Sequence, residues 1–97
     1  MEIDQFDTDT TGHFTASENR IQAGRMTYSW ISNDQISIDH TEVQDAFSGK
    51  GVGKMLVLEA VKFAREKNLT IIPLCSFAES VFNKNDDLSD VLDQQVP

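Results

Sequence analysis

The segment Ser48–Gly53 (SGKGVG) has the composition of an anion-binding loop. It separates a stretch with strand periodicity from a stretch with helix periodicity, so we expect it at the N-terminus of a helix. Glycines let the backbone approach a ligand closely, and the free N–H groups of a helix start favour phosphate. Lys50 and Lys54 add positive charge. The pattern predicts a phosphate site, and the alternative is a set of glycines that only makes a tight turn.

Two common phosphate loops do not fit this segment. A Walker A loop needs Ser or Thr after its lysine and Gly six places before it, but Met55 follows Lys54 and Ser48 stands at the glycine position. The dinucleotide fingerprint fails as well, because Leu56 occupies the position of its third glycine. The loop therefore indicates a phosphate site of another kind.

Cys75 is the candidate nucleophile. It follows an apolar, β-branched run and precedes Ser76, which can begin a helix. A thiol at a helix N-terminus has a lowered pKa and becomes a better nucleophile. The alternative is a small buried core residue, which is the commoner role of a single cysteine.

His40 and Glu42 are the candidate acid–base residues. Both lie near the end of the strand that precedes the glycine segment, and the carboxyl ends of parallel strands line ligand crevices. An imidazole accepts protons near neutral pH. The alternatives are a hydrogen-bonded structural histidine and a solvated carboxylate. The spacing of His, Cys, Asp and Glu indicates no metal site.

Composition and charge limit the function classes. A chain of 97 residues is expected to form one domain, residues 11–97, behind a disordered acidic N-terminus at 1–10. The net charge of −8 comes from the two ends, which argues against nucleic acid as a partner. One cysteine and no long apolar stretch argue against a disulfide scaffold and a membrane span, and predict a cytoplasmic protein.

The elements around these residues follow from periodicity. Alternation predicts three strands in an antiparallel meander, HFTAS, IQAGRMTYSWI and ISIDHTEV, with Ile36, Ile38 and His40 on one face. Apolar residues at helical spacing predict a helix in VGKMLVLEAVKFAREKN. A buried strand in LTIIPLC completes a βαβ crossover. A short helix follows in SFAESVFNK, and Leu88, Val91 and Leu92 form a last, weak helical pattern.

In this order, ISIDHTEV, FSGKGVGKMLVLEAVKFAREKN and LTIIPLCSFAESVF resemble the GNAT superfamily of acetyl-CoA-dependent N-acetyltransferases. The resemblance covers residues 12–92 and is closest to the short, stand-alone YjdJ-like or "GNAT-like" branch. It implies an α/β fold with a twisted mixed sheet whose parallel central strands splay apart to admit acetyl-CoA. Gly51 and Gly53 match the loop pattern of the superfamily, and Ser48 stands where Arg or Gln is usual.

The resemblance also implies roles for the candidate residues. The pyrophosphate of acetyl-CoA would rest on the loop, and strand backbone at Thr41 and Val43 would orient the thioester. His40, or a water held by Glu42, would accept a proton from the amine. Cys75, the proposed catalytic residue of the short branch, would carry the acetyl group or hold the leaving thiolate. The loop residues implied in binding are Gly49, Lys50, Gly51, Val52, Gly53 and Lys54.

The function expected from this resemblance is transfer of acetyl from acetyl-CoA to an unidentified amine, without a metal. The acidic ends favour a cationic acceptor such as a polyamine. The alternatives are a non-catalytic acyl-CoA-binding module and an interaction protein that keeps the fold without the ligand.

Overall fold

The computed structural model describes residues 1–93 and contains one five-stranded sheet and two helices. The strands are β1 (Glu2–Asp7), β2 (Thr11–Glu18), β3 (Ile21–Ser32), β4 (Gln35–Val43) and β5 (Thr70–Pro73). The helices are α1 (Val52–Lys67) and α2 (Ser76–Lys84), and single 3₁₀ turns occupy Asp45–Phe47 and Asp86–Leu88.

The sheet is mixed, and its strands lie in chain order from β1 to β5. The first four strands pair antiparallel, and β5 pairs parallel with β4 after the chain crosses over through α1. This arrangement confirms the predicted meander followed by a βαβ crossover. None of the helices within residues 1–93 is long and apolar enough to span a membrane.

The helix α1 covers one face of the sheet and builds the core. Its apolar stripe is buried from Val52 to Ala64, as its 3.6-residue spacing predicts. It meets aromatic side chains of the sheet, and the rings of Phe63 and Phe14 lie edge to face at 6.0 Å. Asn68 ends the helix at φ +57°, where its N–H donates to the Ala64 carbonyl.

The prediction that residues 1–10 are disordered is wrong, because β1 forms the edge of the sheet. The Asp7 carboxylate fixes this strand by accepting hydrogen bonds from the Tyr28 hydroxyl at 2.6 Å and the Trp30 indole at 2.8 Å. An edge strand buries little apolar surface, and only Ile3 of this strand packs against the core. Its sequence therefore lacks the alternation that identifies the other strands.

A β-bulge at Asp39 changes which face the end of β4 presents. Tyr28 pairs with Ile38 while Thr27 pairs with His40, so Asp39 is the extra residue. The predicted face is therefore wrong for His40, which lies on the side of the sheet away from α1. The same shift places Thr41 beside Met26, on the face that α1 covers. Strict period-two alternation cannot show such a shift.

The C-terminal segment also differs from its predicted helix. It forms the 3₁₀ turn at Asp86–Leu88 and then runs beside β5, where Leu92 makes a parallel bridge to Ile71. The Ile71 N–H donates to Val91 at 2.7 Å, and its carbonyl accepts from Asp93 at 2.9 Å. Pairing with the open edge of β5 satisfies backbone groups that a short helix would leave free.

Candidate functional site

A gap opens in the sheet where β4 and β5 part. The two strands pair only from Gln35 to Ile38, and the ladder ends where the N–H groups of Leu74 and Cys75 both donate to the Ile38 carbonyl, each at 3.0 Å. Beyond this point β4 continues to Val43, and no strand of residues 1–93 pairs with it on that side. The structure therefore has the splayed parallel strands that the resemblance implied.

Along this gap the backbone of β4 presents polar groups that pair with no other main-chain group of residues 1–93. The Gln44 N–H donates to the Ala23 carbonyl at 2.8 Å, so Gln44 faces the β3 side. Because successive residues of a strand direct their main-chain groups to alternate edges, Thr41 and Val43 direct theirs to the open edge. These are the two strand residues that, by the resemblance, would orient the thioester.

A cleft of about 670 Å³ lies at this gap, between the end of β4, the glycine segment, the start of α1 and one side of α2. Its walls combine apolar side chains with exposed backbone, which is typical of a ligand cleft. The lining residues are Thr41, Val43, Phe47, Ser48, Gly49, Gly51, Val52, Gly53, Lys54, Phe77, Ser80, Val81, Lys84 and Asn85.

The glycine segment places the first turn of α1 against this cleft. Gly51 is the N-cap residue and has φ +76°, a conformation that residues with a Cβ rarely adopt. The N–H groups of Val52, Gly53 and Lys54 have no acceptor within residues 1–93, and the first turn contains no acidic residue. A helix start of this kind binds anions through its N–H groups and its dipole.

Gly53 has a second role, which the loop pattern does not indicate. A Cβ at this position would lie 2.6 Å from the ring of Phe77 on α2. The glycine therefore lets the two helices approach each other where the cleft begins. Phe77 remains 42% exposed and forms part of the cleft wall.

The lysines near the cleft have different environments. Lys54 lines it from α1, whereas Lys50 does not line it and holds its ammonium 5.4 Å from the centre of the Phe47 ring. Lys84 and Asn85 line the cleft from the end of α2. The loop pattern does not point to these two residues; the signal in the sequence is their spacing of seven and eight residues from Phe77, which brings them to the same side of α2.

Cys75 is half-buried at the N-cap position of α2; it does not line the cleft but lies next to Thr41, which does. Its thiol donates to the Thr41 hydroxyl oxygen at 3.6 Å. Partial burial raises the pKa of this thiol. In the thiolate form the sulfur instead accepts hydrogen bonds from the Ala78 N–H, the Thr41 hydroxyl, the Phe77 N–H and the Thr41 N–H, and together these outweigh burial and bring the pKa below its ordinary value. The Cys75 environment thus favours a thiolate next to a residue that lines the cleft.

His40 and Glu42 are not brought to the cleft. Both are exposed on the outer face of the sheet, in register with Thr27 and Arg25, and neither lines the cleft wall. They nevertheless follow the bulge on the strand whose open edge borders the gap.

Within the described part of the chain, no three His, Cys, Asp or Glu side chains are grouped closely enough to hold a metal ion.

A protein-family model matches most of the chain. The model of the GCN5-related N-acetyl-transferase family matches residues 13–91. Protein NATD1 of Xenopus tropicalis is 30% identical over 60 residues, which are 62% of this chain and 55% of that protein. Human NATD1 is 28% identical over 60 residues. The chain therefore spans about half the length of the curated relatives it matches.

Solved structures show the same fold. A GCN5-like candidate N-acetyltransferase from Staphylococcus aureus is 38% identical, with a TM-score of 0.68, and the match covers 97% of this chain and 92% of that one. The aminoglycoside N-acetyltransferase AAC(6')-Iy in complex with CoA is 13% identical, with a TM-score of 0.64, over 86% of this chain and 88% of that one. The second likeness is one of fold alone.

Proposed function

This chain belongs to the GCN5-related N-acetyltransferase family, and on that premise we propose that it binds acetyl-CoA in the cleft and transfers the acetyl group to an amine. The observation that carries the proposal is the cleft of about 670 Å³ at the gap between β4 and β5. The gap exposes strand backbone on one side and the first turn of α1 on another.

Two sets of main-chain groups would hold acetyl-CoA. The free N–H groups of Val52, Gly53 and Lys54 would receive the pyrophosphate, with the Lys54 ammonium nearby. The open edge of β4 at Thr41 and Val43 would pair with the amide groups of the pantetheine arm, as an added strand pairs with a sheet edge. These contacts direct the thioester toward Thr41 and Cys75.

Transfer follows one of two routes that differ in the role of Cys75. In the direct route, the amine nitrogen attacks the thioester carbonyl, the carbon–sulfur bond breaks, and the CoA thiolate leaves and takes a proton. In the covalent route, the Cys75 thiolate attacks first and releases CoA. The amine then attacks the acetyl-cysteine and restores the thiol. The lowered pKa of Cys75 favours the covalent route.

The acceptor amine would approach from the outer face of the sheet. His40, or a water held by Glu42, would accept its proton there, because both side chains are exposed on that face. The carboxylates of the N-terminal and C-terminal segments favour a cationic amine such as a polyamine.

A second candidate function is a non-catalytic acyl-CoA-binding module. It is favoured by one observation, namely that neither His40 nor Glu42 lines the cleft. This module would use the same contacts to acetyl-CoA and would release no CoA.

Calorimetry with CoA and acetyl-CoA tests binding first, and release of free CoA thiol in the presence of polyamines and lysine-rich peptides then tests transfer. We expect binding of both ligands and amine-dependent release of CoA. Binding without release from any amine would favour the binding module. A protein that binds neither ligand would contradict both functions.

A further inference from the structure

We propose that Lys84 binds the 3′-phosphate of CoA and makes the site select CoA over its 3′-dephospho form. The inference rests on the proposed function, because it assumes that the cleft holds acetyl-CoA. It assigns a ligand group to a residue for which neither the sequence pattern nor the glycine segment gave a role.

The charge of the cleft points to an anionic ligand with more than one charged group. Its lining contains two lysines, Lys54 and Lys84, and no aspartate or glutamate. The chain as a whole has a net charge of −8. Two lysines from different helices therefore face one cavity in a strongly acidic protein.

The geometry of α2 places these two charges at different points of the cleft. Phe77, Ser80, Val81 and Lys84 are spaced so that they share one face of the helix, and this face lines the cleft. With a rise of 1.5 Å per residue, Lys84 lies about 10 Å beyond Phe77 along the axis. The Phe77 end meets α1 at Gly53, next to Cys75, so Lys84 is far from the thioester end.

The anionic groups of CoA match this arrangement. CoA carries charge at its pyrophosphate and at its 3′-phosphate, and the latter is farther from the thioester. Lys54 lies in the first turn of α1, among the free N–H groups proposed for the pyrophosphate. Lys84, at the end of α2 that is far from the thioester, is the other lysine of the cleft lining, and we assign it to the 3′-phosphate.

Lys84 is available for this contact. Within residues 1–93 it forms no ion pair, although Asp86 and Asp87 follow it closely in the chain. The Asn85 side-chain amide donates to the Val81 carbonyl at 2.7 Å and fixes the last turn of α2. The Lys84 side chain itself lines the cleft.

The test measures the affinity of CoA and of 3′-dephospho-CoA by calorimetry at low salt, for the parent chain and three variants. The variants are Lys84→Gln, Lys54→Gln and Lys62→Gln. Lys62 is exposed on α1 outside the cleft, so its variant controls for the loss of one positive charge. The melting temperature of each variant shows that it is folded.

We expect Lys84→Gln to weaken CoA binding about three- to fivefold and to leave 3′-dephospho-CoA unchanged, as for one solvent-exposed ion pair. Lys54→Gln should weaken both ligands alike, and Lys62→Gln neither. The inference is overturned if Lys84→Gln weakens both ligands equally, or if it changes neither. If the parent chain binds neither ligand, the proposed function itself fails.

Discussion

Replacement of Gly51 by alanine tests whether the glycine segment is the phosphate cradle. Gly51 has φ +76°, and a Cβ added there would meet no atom within 4 Å. The stability cost is therefore backbone strain alone, about 1–2 kcal/mol for an L-residue in the left-handed region. For a domain of this size, a loss of about 1 kcal/mol lowers the melting temperature by roughly 4–8 °C.

The effect on binding has a different origin. The open space beside Gly51 borders the cleft, so a methyl group there would occupy room that the proposed pyrophosphate needs. We expect Gly51→Ala to weaken CoA binding about tenfold or more, measured by calorimetry on protein that is fully folded at the assay temperature. Gly51→Asn should restore part of the stability, because asparagine tolerates this conformation, but not the affinity.

Gly49→Ala is the matched control. Gly49 has φ +78° and the same open surroundings, so its replacement carries the same strain but lies farther from the first turn of α1. It should lower the melting temperature as much as Gly51→Ala and weaken CoA less. Unchanged stability in Gly51→Ala would refute the assigned backbone conformation, and unchanged CoA affinity would place the phosphates elsewhere.

Further predictions concern Gly53 and Cys75, next to the cleft, and His40 and Glu42, on the outer face of the sheet. Gly53→Ala should push the Phe77 ring into the cleft and weaken CoA binding, measured by calorimetry. The double variant Gly53→Ala with Phe77→Ala should recover the affinity. If it does not, the Phe77 ring is not what blocks CoA. Because the pKa of the Cys75 thiol is lowered in the fold, its alkylation should begin at lower pH than in the unfolded chain. For the same reason, its contribution to stability is full above the unfolded pKa and disappears as pH falls through the folded one. Mass spectrometry after incubation with acetyl-CoA should show a hydroxylamine-labile acetyl group on Cys75, and CoA should protect the thiol; a thiol that resists alkylation with and without CoA would be a core residue. His40→Gln should lower turnover about 10²-fold and leave the melting temperature and CoA affinity unchanged, because the side chain is exposed. Glu42→Gln should do the same if Glu42 holds the water that accepts the proton. A lower melting temperature in either variant would show a structural role instead.

Local pattern determined the elements that build the cleft. The apolar spacing in 52–67 dictates α1, because a helix with that stripe must bury it against the sheet. Asn68 adopts the left-handed conformation that ends the helix. The predicted short helix SFAESVFNK matches α2 in both of its ends. These features depend on neighbours three or four residues away, which the sequence contains explicitly.

Tertiary contacts decided which face of the sheet the candidate site residues of β4 occupy. The bulge at Asp39 depends on how β4 pairs with β3, and this pairing moved His40 to the outer face and Thr41 toward the cleft. Asp39 itself accepts hydrogen bonds from the Ser29 hydroxyl at 2.5 Å and the Ser37 hydroxyl at 2.8 Å. The partner from the neighbouring strand, Ser29 on β3, leaves no trace in the period of β4.

The conformations of the two terminal segments also depend on tertiary contacts that the sequence pattern does not reveal. The strand β1 forms because Tyr28 and Trp30 donate to Asp7 across more than twenty residues, and Leu92 reaches the edge of β5 after the chain turns back at Asp86–Leu88. Both segments gain stability from backbone pairing with an existing edge, and β1 also gains it from the hydrogen bonds of the Asp7 carboxylate; neither kind of contact requires an apolar period. Apolar periodicity therefore determined the centre of this fold, while the sheet that it built decided the conformation of its ends.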